Sequence, residues 1–156
     1  MLYHPVVHDA MKLLVAATTI FAMFVGTCVA QDSAAVVLGG IGSTPHFQTV
    51  LDGIWDALSS SGVKVKVASG EGKARSVILE EMKTSGNTVL LYVTVTKNGG
   101  ERGKILVESF VDGKKMWQEE SRGSQFAGSA EGEVCGMLKS INEKIKKRIG
   151  GPGLPK

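Results

Sequence analysis

The sequence predicts an α+β domain in which three helices pack on a five-stranded mixed sheet, as two or three layers in the order β-α-β-α-β-β-β-α. Three patterns carry this prediction. Residues 34–38 form a short continuous apolar run, which is typical of a strand buried on both faces. Residues 88–96 have the strongest β composition of the chain. One series of apolar side chains at helical spacing follows the first predicted strand, and another series follows the last predicted strand.

The first strand is predicted at residues 34–38, where the apolar run ends at Gly39 and Gly40. A turn rich in glycine should follow it. The hydroxyl of Ser43 or Thr44 is then suited to cap the first helix, since a capping oxygen accepts from the free N–H groups of a helix start.

The first helix is the clearest in the sequence. Pro45 suits its first position, where a missing N–H costs nothing, and Gly62 suits the left-handed residue beyond its end. One apolar stripe at helical spacing predicts a face packed on a core. The stripe consists of Phe47, Val50, Leu51, Ile54, Trp55 and Leu58.

Residues 63–68 alternate strictly, with three valines on one face and lysines on the other. This pattern predicts a second strand near an edge of the sheet, because lysines discourage pairing with other chains. A second helix is predicted over residues 73–85, ending at Gly86. Its apolar stripe is Ala74, Val77, Ile78 and Met82.

Three strands should form an antiparallel meander. Residues 88–96 are predicted as the central strand, and residues 105–111 as the strand that returns beside it. Asp112 and Gly113 then form a two-residue type I′ turn signal leading into residues 115–121.

The last helix is predicted to begin after Ser129 as its cap, with Glu131 and Glu133 in the first turn, where the helix dipole favours anions. Its apolar stripe is Val134, Met137, Leu138, Ile141, Ile145 and Ile149. Residues 151–156 contain two prolines and cannot extend it. We therefore expect one domain over residues 31–150 and a disordered tail over residues 151–156.

Residues 1–30 have the pattern of an export signal. Lys12 precedes an apolar stretch over residues 13–25, and small side chains stand where a signal peptidase reads them. We expect cleavage between Ala30 and Gln31, translation from Met11, and a periplasmic or secreted product.

Two alternatives give the same segment a membrane role. An uncleaved anchor is one, although the apolar stretch is shorter than the ~20 residues of a spanning helix. Lipidation of Cys28 is the other, and it would make the product an outer-membrane lipoprotein. Any membrane contact is expected only by these two routes.

The composition excludes several function classes. The chain has 18 basic and 15 acidic residues, a net charge of only +3, so nucleic-acid binding is unsupported. Its one dense basic cluster, residues 144–148, stands where cations favour a helix C-terminus. After cleavage, Cys135 is the only cysteine that remains and His46 is the only histidine. We therefore expect no internal disulfide, no metal, no cofactor and no catalytic residue.

One turn is a candidate ligand site. It lies between a predicted strand and a helix, where loops that bind phosphate occur. No lysine precedes Ser43, and Pro45 stands where a dinucleotide fingerprint needs glycine, so both known patterns fail. A sharp structural turn remains the other interpretation. The candidate residues are Gly40, Gly42, Ser43, Thr44 and His46.

One set of aromatic residues is a candidate partner site. Tyr92, Phe110 and Trp117 could share the outer face of the meander. An apolar patch on a sheet face is a common place for a protein partner to bind. Packing in the core explains the same residues equally well.

The element order in an exported domain resembles the amino-terminal domain of TolB, the curli secretion lipoprotein and the lipoprotein activators of penicillin-binding proteins. The segments that carry this resemblance are residues 34–42 with Thr44 and Pro45, 47–58, 63–68 and 89–121. It implies an envelope domain that binds proteins, has an envelope protein as its partner and has no active site. The alternative function is a small ligand-binding or hydrolytic domain that uses the turn at residues 39–46.

Overall fold

A computed structural model describes residues 35–68, 72–97, 102–124 and 127–156. The predicted export segment, with Met11, Cys28, Ala30 and Gln31, lies outside these residues. The elements are β1 (Val36–Gly42), α1 (Phe47–Ser59), β2 (Val65–Val67), α2 (Arg75–Ser85), β3 (Val89–Thr96), β4 (Lys104–Val111), β5 (Lys114–Arg122) and α3 (Ala130–Lys146). The predicted α+β class and the order of elements are confirmed.

The five strands form one mixed sheet in the order β2-β1-β3-β4-β5. β1 pairs in parallel with both β2 and β3, whereas β3, β4 and β5 form the predicted antiparallel meander. β3 is therefore the central strand and β2 an edge strand, as the sequence indicates.

Helices cover both faces of the sheet. The larger core lies under α1 and α3 and includes Leu38, Ile54, Val93, Val107 and Ile141. The smaller core lies under α2 and consists of Val37, Ile78, Met82, Leu90, Tyr92 and Phe110. The domain that the described residues form therefore has three layers.

Two large side chains of the predicted helical stripes face solvent, and the small Ala74 is exposed as well. Trp55 is 41% exposed and Val77 is 47% exposed. Trp55 directly follows the buried Ile54 and Val77 directly precedes the buried Ile78. One residue is a rotation of about 100° around a helix. Both side chains therefore lie on the flank of the buried stripe and not in it.

The start of α1 also differs from the prediction. The helix begins at Phe47 with His46 at the cap position, and no side chain caps it. The Phe47 N–H instead donates to the carbonyl of Thr44 within a turn. Ser43 and Thr44 are therefore not caps. Ser129 does cap α3, since its hydroxyl accepts from the Gly132 N–H at 3.0 Å.

β1 continues through the glycines that were expected to end it. Its pairing with β3 extends to Gly42 opposite Val95. A methyl group on Gly40 would overlap the backbone carbonyl of Val93, and one on Gly39 would lie 2.6 Å from Ile78 Cδ1. Gly40 therefore lets β1 lie close to β3, and Gly39 lets Ile78 of α2 pack closely on β1.

The β4–β5 hairpin contains a bulge. Asp112 and Gly113 have φ values of 48° and 78°, so the predicted turn is confirmed. The register then shifts, because Phe110 pairs with Lys115 while Ser109 pairs with Trp117. Met116 is the extra residue. A shift of one residue turns a side chain to the opposite face, so Trp117 faces α1 and α3.

The expectation of a disordered tail at residues 151–156 is wrong. Gly151 and Leu154 form an antiparallel bridge, and Leu154 is fully buried in the larger core. The Ser109 hydroxyl donates to the carbonyl of Gly153 at 2.5 Å. The chain reverses at Gly153, which has a φ of +85°. One apolar side chain and the backbone carbonyls beside it hold the terminus on the sheet.

Candidate functional site

A cavity of about 330 Å³ opens beside the end of β3, between the turn that precedes α1 and the first turns of α3. The β1–α1 turn, the residue after β3 and the buried side of α3 form its walls. The wall residues with polar side chains are Ser43, Thr44, His46, Thr96, Lys97 and Glu133, and Val95, Val134 and Met137 are among the apolar ones.

The structure brings three of the five predicted ligand residues into this cavity. Ser43, Thr44 and His46 line it, whereas Gly40 and Gly42 belong to β1. A methyl group on Gly42 would lie 2.6 Å from the ring of Phe47, so this glycine serves packing. The hydroxyl of Thr44 is buried and has no hydrogen-bond partner among the described residues.

Glu133 is the most constrained charged residue at the cavity. Its side chain is only 10% exposed, and Oε2 lies 2.7 Å from Lys97 Nζ. Oε1 accepts a hydrogen bond of 2.9 Å from the Gly103 N–H. The hydrogen bond from Lys97, followed by the one from Gly103, lowers the pKa of the Glu133 carboxyl. This carboxylate therefore joins α3 to the end of β3 and the start of β4.

The sequence pattern places Glu133 in the first turn of a helix and does not by itself predict this role. The signal was present, because Glu133 is four residues before Met137 and eight before Ile141, on the buried stripe of α3. A charged residue on such a stripe needs a partner that removes the cost of burial. Gly123 provides the space, since a methyl group there would overlap Glu133 Oε1.

The cavity combines one ion pair, several hydroxyl groups and an apolar wall. This combination suits a small molecule that has both polar and apolar parts. In the described ranges, no three side chains of His, Cys, Asp or Glu are grouped as a metal site would require.

The predicted partner residues Tyr92, Phe110 and Trp117 are all buried. Tyr92 and Phe110 lie under α2, but Trp117 lies in the larger core on the other face. The prediction that they share one outer face is wrong, because the bulge at Met116 places the Trp117 side chain on the opposite face of the sheet. Burial raises the pKa of the Tyr92 hydroxyl, which donates to the carbonyl of Lys73 at 3.1 Å.

Among the residues that the structure describes, no helix has the length and apolar character needed to cross a bilayer.

Comparison with known proteins identifies the fold. No family model matches the chain, and no curated protein matches it in sequence. The PelC dodecamer from Paraburkholderia phytofirmans is similar in structure, with a TM-score of 0.50 and 15% sequence identity over 74% of this chain and 89% of that one. The hypothetical protein CT253 from Chlamydia trachomatis gives a TM-score of 0.49 and 13% identity over 74% of this chain and 95% of that one. At such identities, the similarity to PelC shows a common fold.

Proposed function

We propose that the chain is a non-enzymatic protein-interaction domain of the bacterial envelope, which is exported and associates with copies of itself. The observation that carries the proposal is the fold shared with PelC, a protein crystallised as a dodecamer. The export pattern of residues 1–30 and the resemblance in element order to TolB and the curli secretion lipoprotein support the same class.

The open sheet fits this function. Its two edge strands, β2 and β5, lie at opposite ends of the strand order. An edge strand carries backbone groups that can pair with another chain, although the lysines of the β2 segment oppose such pairing at that edge. A molecule that presents different surfaces at its two ends can associate head to tail, as rings of identical subunits do.

Cross-linking in cells tests the proposal. The full chain, produced with its own leader in a bacterium, is treated with an amine-reactive cross-linker and separated into cytosolic and envelope fractions. We expect a ladder of multiples of the mature mass in the envelope fraction, with a co-expressed monomeric exported protein as the control. A monomer alone, or a ladder confined to the cytosol, would contradict the proposal.

A second function is favoured by one observation. Ser43, Thr44 and His46 meet Lys97 in the 330 Å³ cavity, so a small ligand could bind there. A thermal-shift screen of small metabolites tests this function on the wild-type chain and on the variants Thr44→Val and His46→Ala. Thr49→Val, at an exposed position of α1, is the matched control. A ligand whose shift survives both cavity substitutions does not bind there, and a screen without any shift rejects this function.

A further inference from the structure

The β4–β5 turn and the end of the chain meet at one corner of the domain. The guanidinium of Arg148 lies over the Trp117 ring, 5.7 Å from its centroid. The Trp117 indole in turn donates to the carbonyl of Pro152. The start of β5 and the chain beyond α3 therefore form one continuous surface. We call residues 112–119 and 143–156 the C-terminal corner.

This corner holds the basic excess of the chain. Its two segments contain seven basic and three acidic residues, an excess of four, whereas the whole chain has an excess of only three. The remainder of the chain is therefore close to neutral. Four lysines of the corner are exposed and take part in no ion pair among the described residues. They are Lys114, Lys146, Lys147 and Lys156.

Little negative charge opposes these lysines. Glu119 is neutralised by Arg148, whose guanidinium lies 2.6 Å from its carboxylate. Asp112 and Glu143 are then the exposed acidic residues of the corner. The dipole of α3 favours cations in its last turn, but Lys114 belongs to β5 and is not in that turn. The corner is therefore a cationic surface built from separate parts of the fold.

An exposed apolar side chain stands among these cations. Met116, the extra residue of the bulge in β5, is 43% exposed and lies two residues from Lys114. A methyl group on Gly153 would lie 2.8 Å from the Cβ of Met116, so this side chain also adjoins the C-terminal turn. Cations beside an apolar side chain suit the surface of an anionic bilayer. The headgroup phosphates attract the cations, and the apolar side chain enters the boundary with the acyl chains.

The segment with the export pattern joins the domain at the same end of the sheet. β1, β2 and β3 run parallel and start at this end, where β4 ends at Val111 opposite Lys114. β1 and β5 are three strand spacings apart in the sheet, about 14 Å. A lipid on Cys28 or an uncleaved anchor would therefore hold the domain at a membrane by the end that carries the C-terminal corner.

We propose that the C-terminal corner is a docking surface for an anionic phospholipid bilayer. Lys114 and Lys147 contact headgroup phosphates, and Met116 enters the boundary below them. This contact goes beyond the proposed self-association and does not require it. It also differs from the two membrane routes of residues 1–30, because it uses the folded domain. Met116 favours a bilayer over a polyanion in solution, which offers no apolar region for this side chain to enter.

Co-sedimentation with vesicles tests the proposal. The exported chain carries Cys28→Ser, so that no lipid on the protein contributes to binding. It is mixed with vesicles of phosphatidylglycerol and phosphatidylcholine, or of phosphatidylcholine alone. We expect binding to the anionic vesicles only, and the binding should weaken as salt is added. Lys114→Gln/Lys147→Gln should weaken it at least tenfold, because one cation near such a surface contributes about fivefold.

Two further variants separate the parts of the surface. Lys66→Gln/Lys139→Gln removes the same charge from exposed positions outside the corner and should bind as the parent chain does. Met116→Ser leaves the charge unchanged and should weaken binding to anionic vesicles severalfold. Heparin in solution is the comparison, because a polyanion without an apolar region should not distinguish Met116→Ser from the parent chain.

Each outcome has a distinct meaning. No binding, equal binding to both kinds of vesicle, or an equal loss in the two lysine variants overturns the proposal. Heparin binding as tight as vesicle binding, with Met116→Ser unchanged in both, overturns it in favour of a polyanion. A monomeric chain that binds anionic vesicles supports it and contradicts the self-association alone. If a variant does not fold, hydrogen exchange of the parent chain decides: anionic vesicles should protect residues 112–119 and not α2, and unchanged protection contradicts the proposal.

Discussion

The indole Nε1 of Trp117 donates a hydrogen bond of 3.1 Å to the carbonyl oxygen of Pro152, so the end of the chain is fixed to β5. Arg148 strengthens the same corner, because its guanidinium lies over the Trp117 ring at 5.7 Å and pairs with Glu119 at 2.6 Å. The C-terminal turn is therefore anchored on β5, and Leu154 within it belongs to the larger core.

Removal of the Leu154 side chain should destabilise the domain strongly. Leu154→Ala leaves a cavity in a fully buried position, and such changes cost about 2–5 kcal/mol. Urea unfolding followed by circular dichroism measures the loss. Lys156→Ala, at an exposed position two residues away, should leave the midpoint unchanged. Equal midpoints for the two variants would mean that the terminus does not contribute to stability.

Local patterns were sufficient for the elements and their order, because each helix carries a helical periodicity and each strand an alternation, an apolar run or a β-rich composition of its own. The pairing of β4 with β5 was predictable only at the turn formed by Asp112 and Gly113. Counted outward from Asp112 and Gly113, a regular hairpin places Trp117 opposite Glu108, on the face of Phe110. The extra residue Met116 reverses this, and its cause is the packing of Trp117 with the C-terminal turn, which no local pattern contains.

The candidate site was predictable only in part, because some of its residues stand out in a local pattern and others do not. The turn residues Ser43, Thr44 and His46 stood out because they follow glycines after a strand. Glu133 did not stand out, because its partners Lys97 and Gly103 are 36 and 30 residues away in sequence. The burial of Leu154 was missed because glycine and proline composition predicts disorder, and one leucine gives little signal against it.

Loss of the Glu133 charge should make the domain less stable and less sensitive to acid. Glu133→Gln weakens two hydrogen bonds of a nearly buried carboxylate, at a cost of about 1–3 kcal/mol near pH 7. The pKa of this carboxyl is lower in the folded chain than its ordinary value of 4.5. Its contribution to stability is therefore complete above about pH 4.5 and is lost as the pH falls through the lower pKa of the folded chain.

The measurement is urea unfolding between about pH 6 and pH 3. The wild type should lose more stability on acidification than Glu133→Gln, and the exposed Glu131→Gln should behave as the wild type does. Parallel pH profiles for the wild type and Glu133→Gln would show that the carboxylate carries no such stabilisation.

A methyl group at Gly40 should not fit the sheet. Gly40→Ala places a Cβ onto the carbonyl of Val93 in the neighbouring strand, and backbone cannot move aside as a flexible side chain can. We expect a loss of about 3 kcal/mol, at the upper end of the cost of overpacking. Thermal unfolding tests this, with Gly128→Ala as the control, since nothing lies within 4 Å of the Cβ position there. A Gly40→Ala chain as stable as the control would contradict the paired register of β1.

Native mass spectrometry of the full chain, recovered from the envelope fraction of a bacterium, tests the central claim most directly. Self-association through two different surfaces predicts an assembly of more than two mature copies. A wild-type chain that remains monomeric at every concentration would contradict the account.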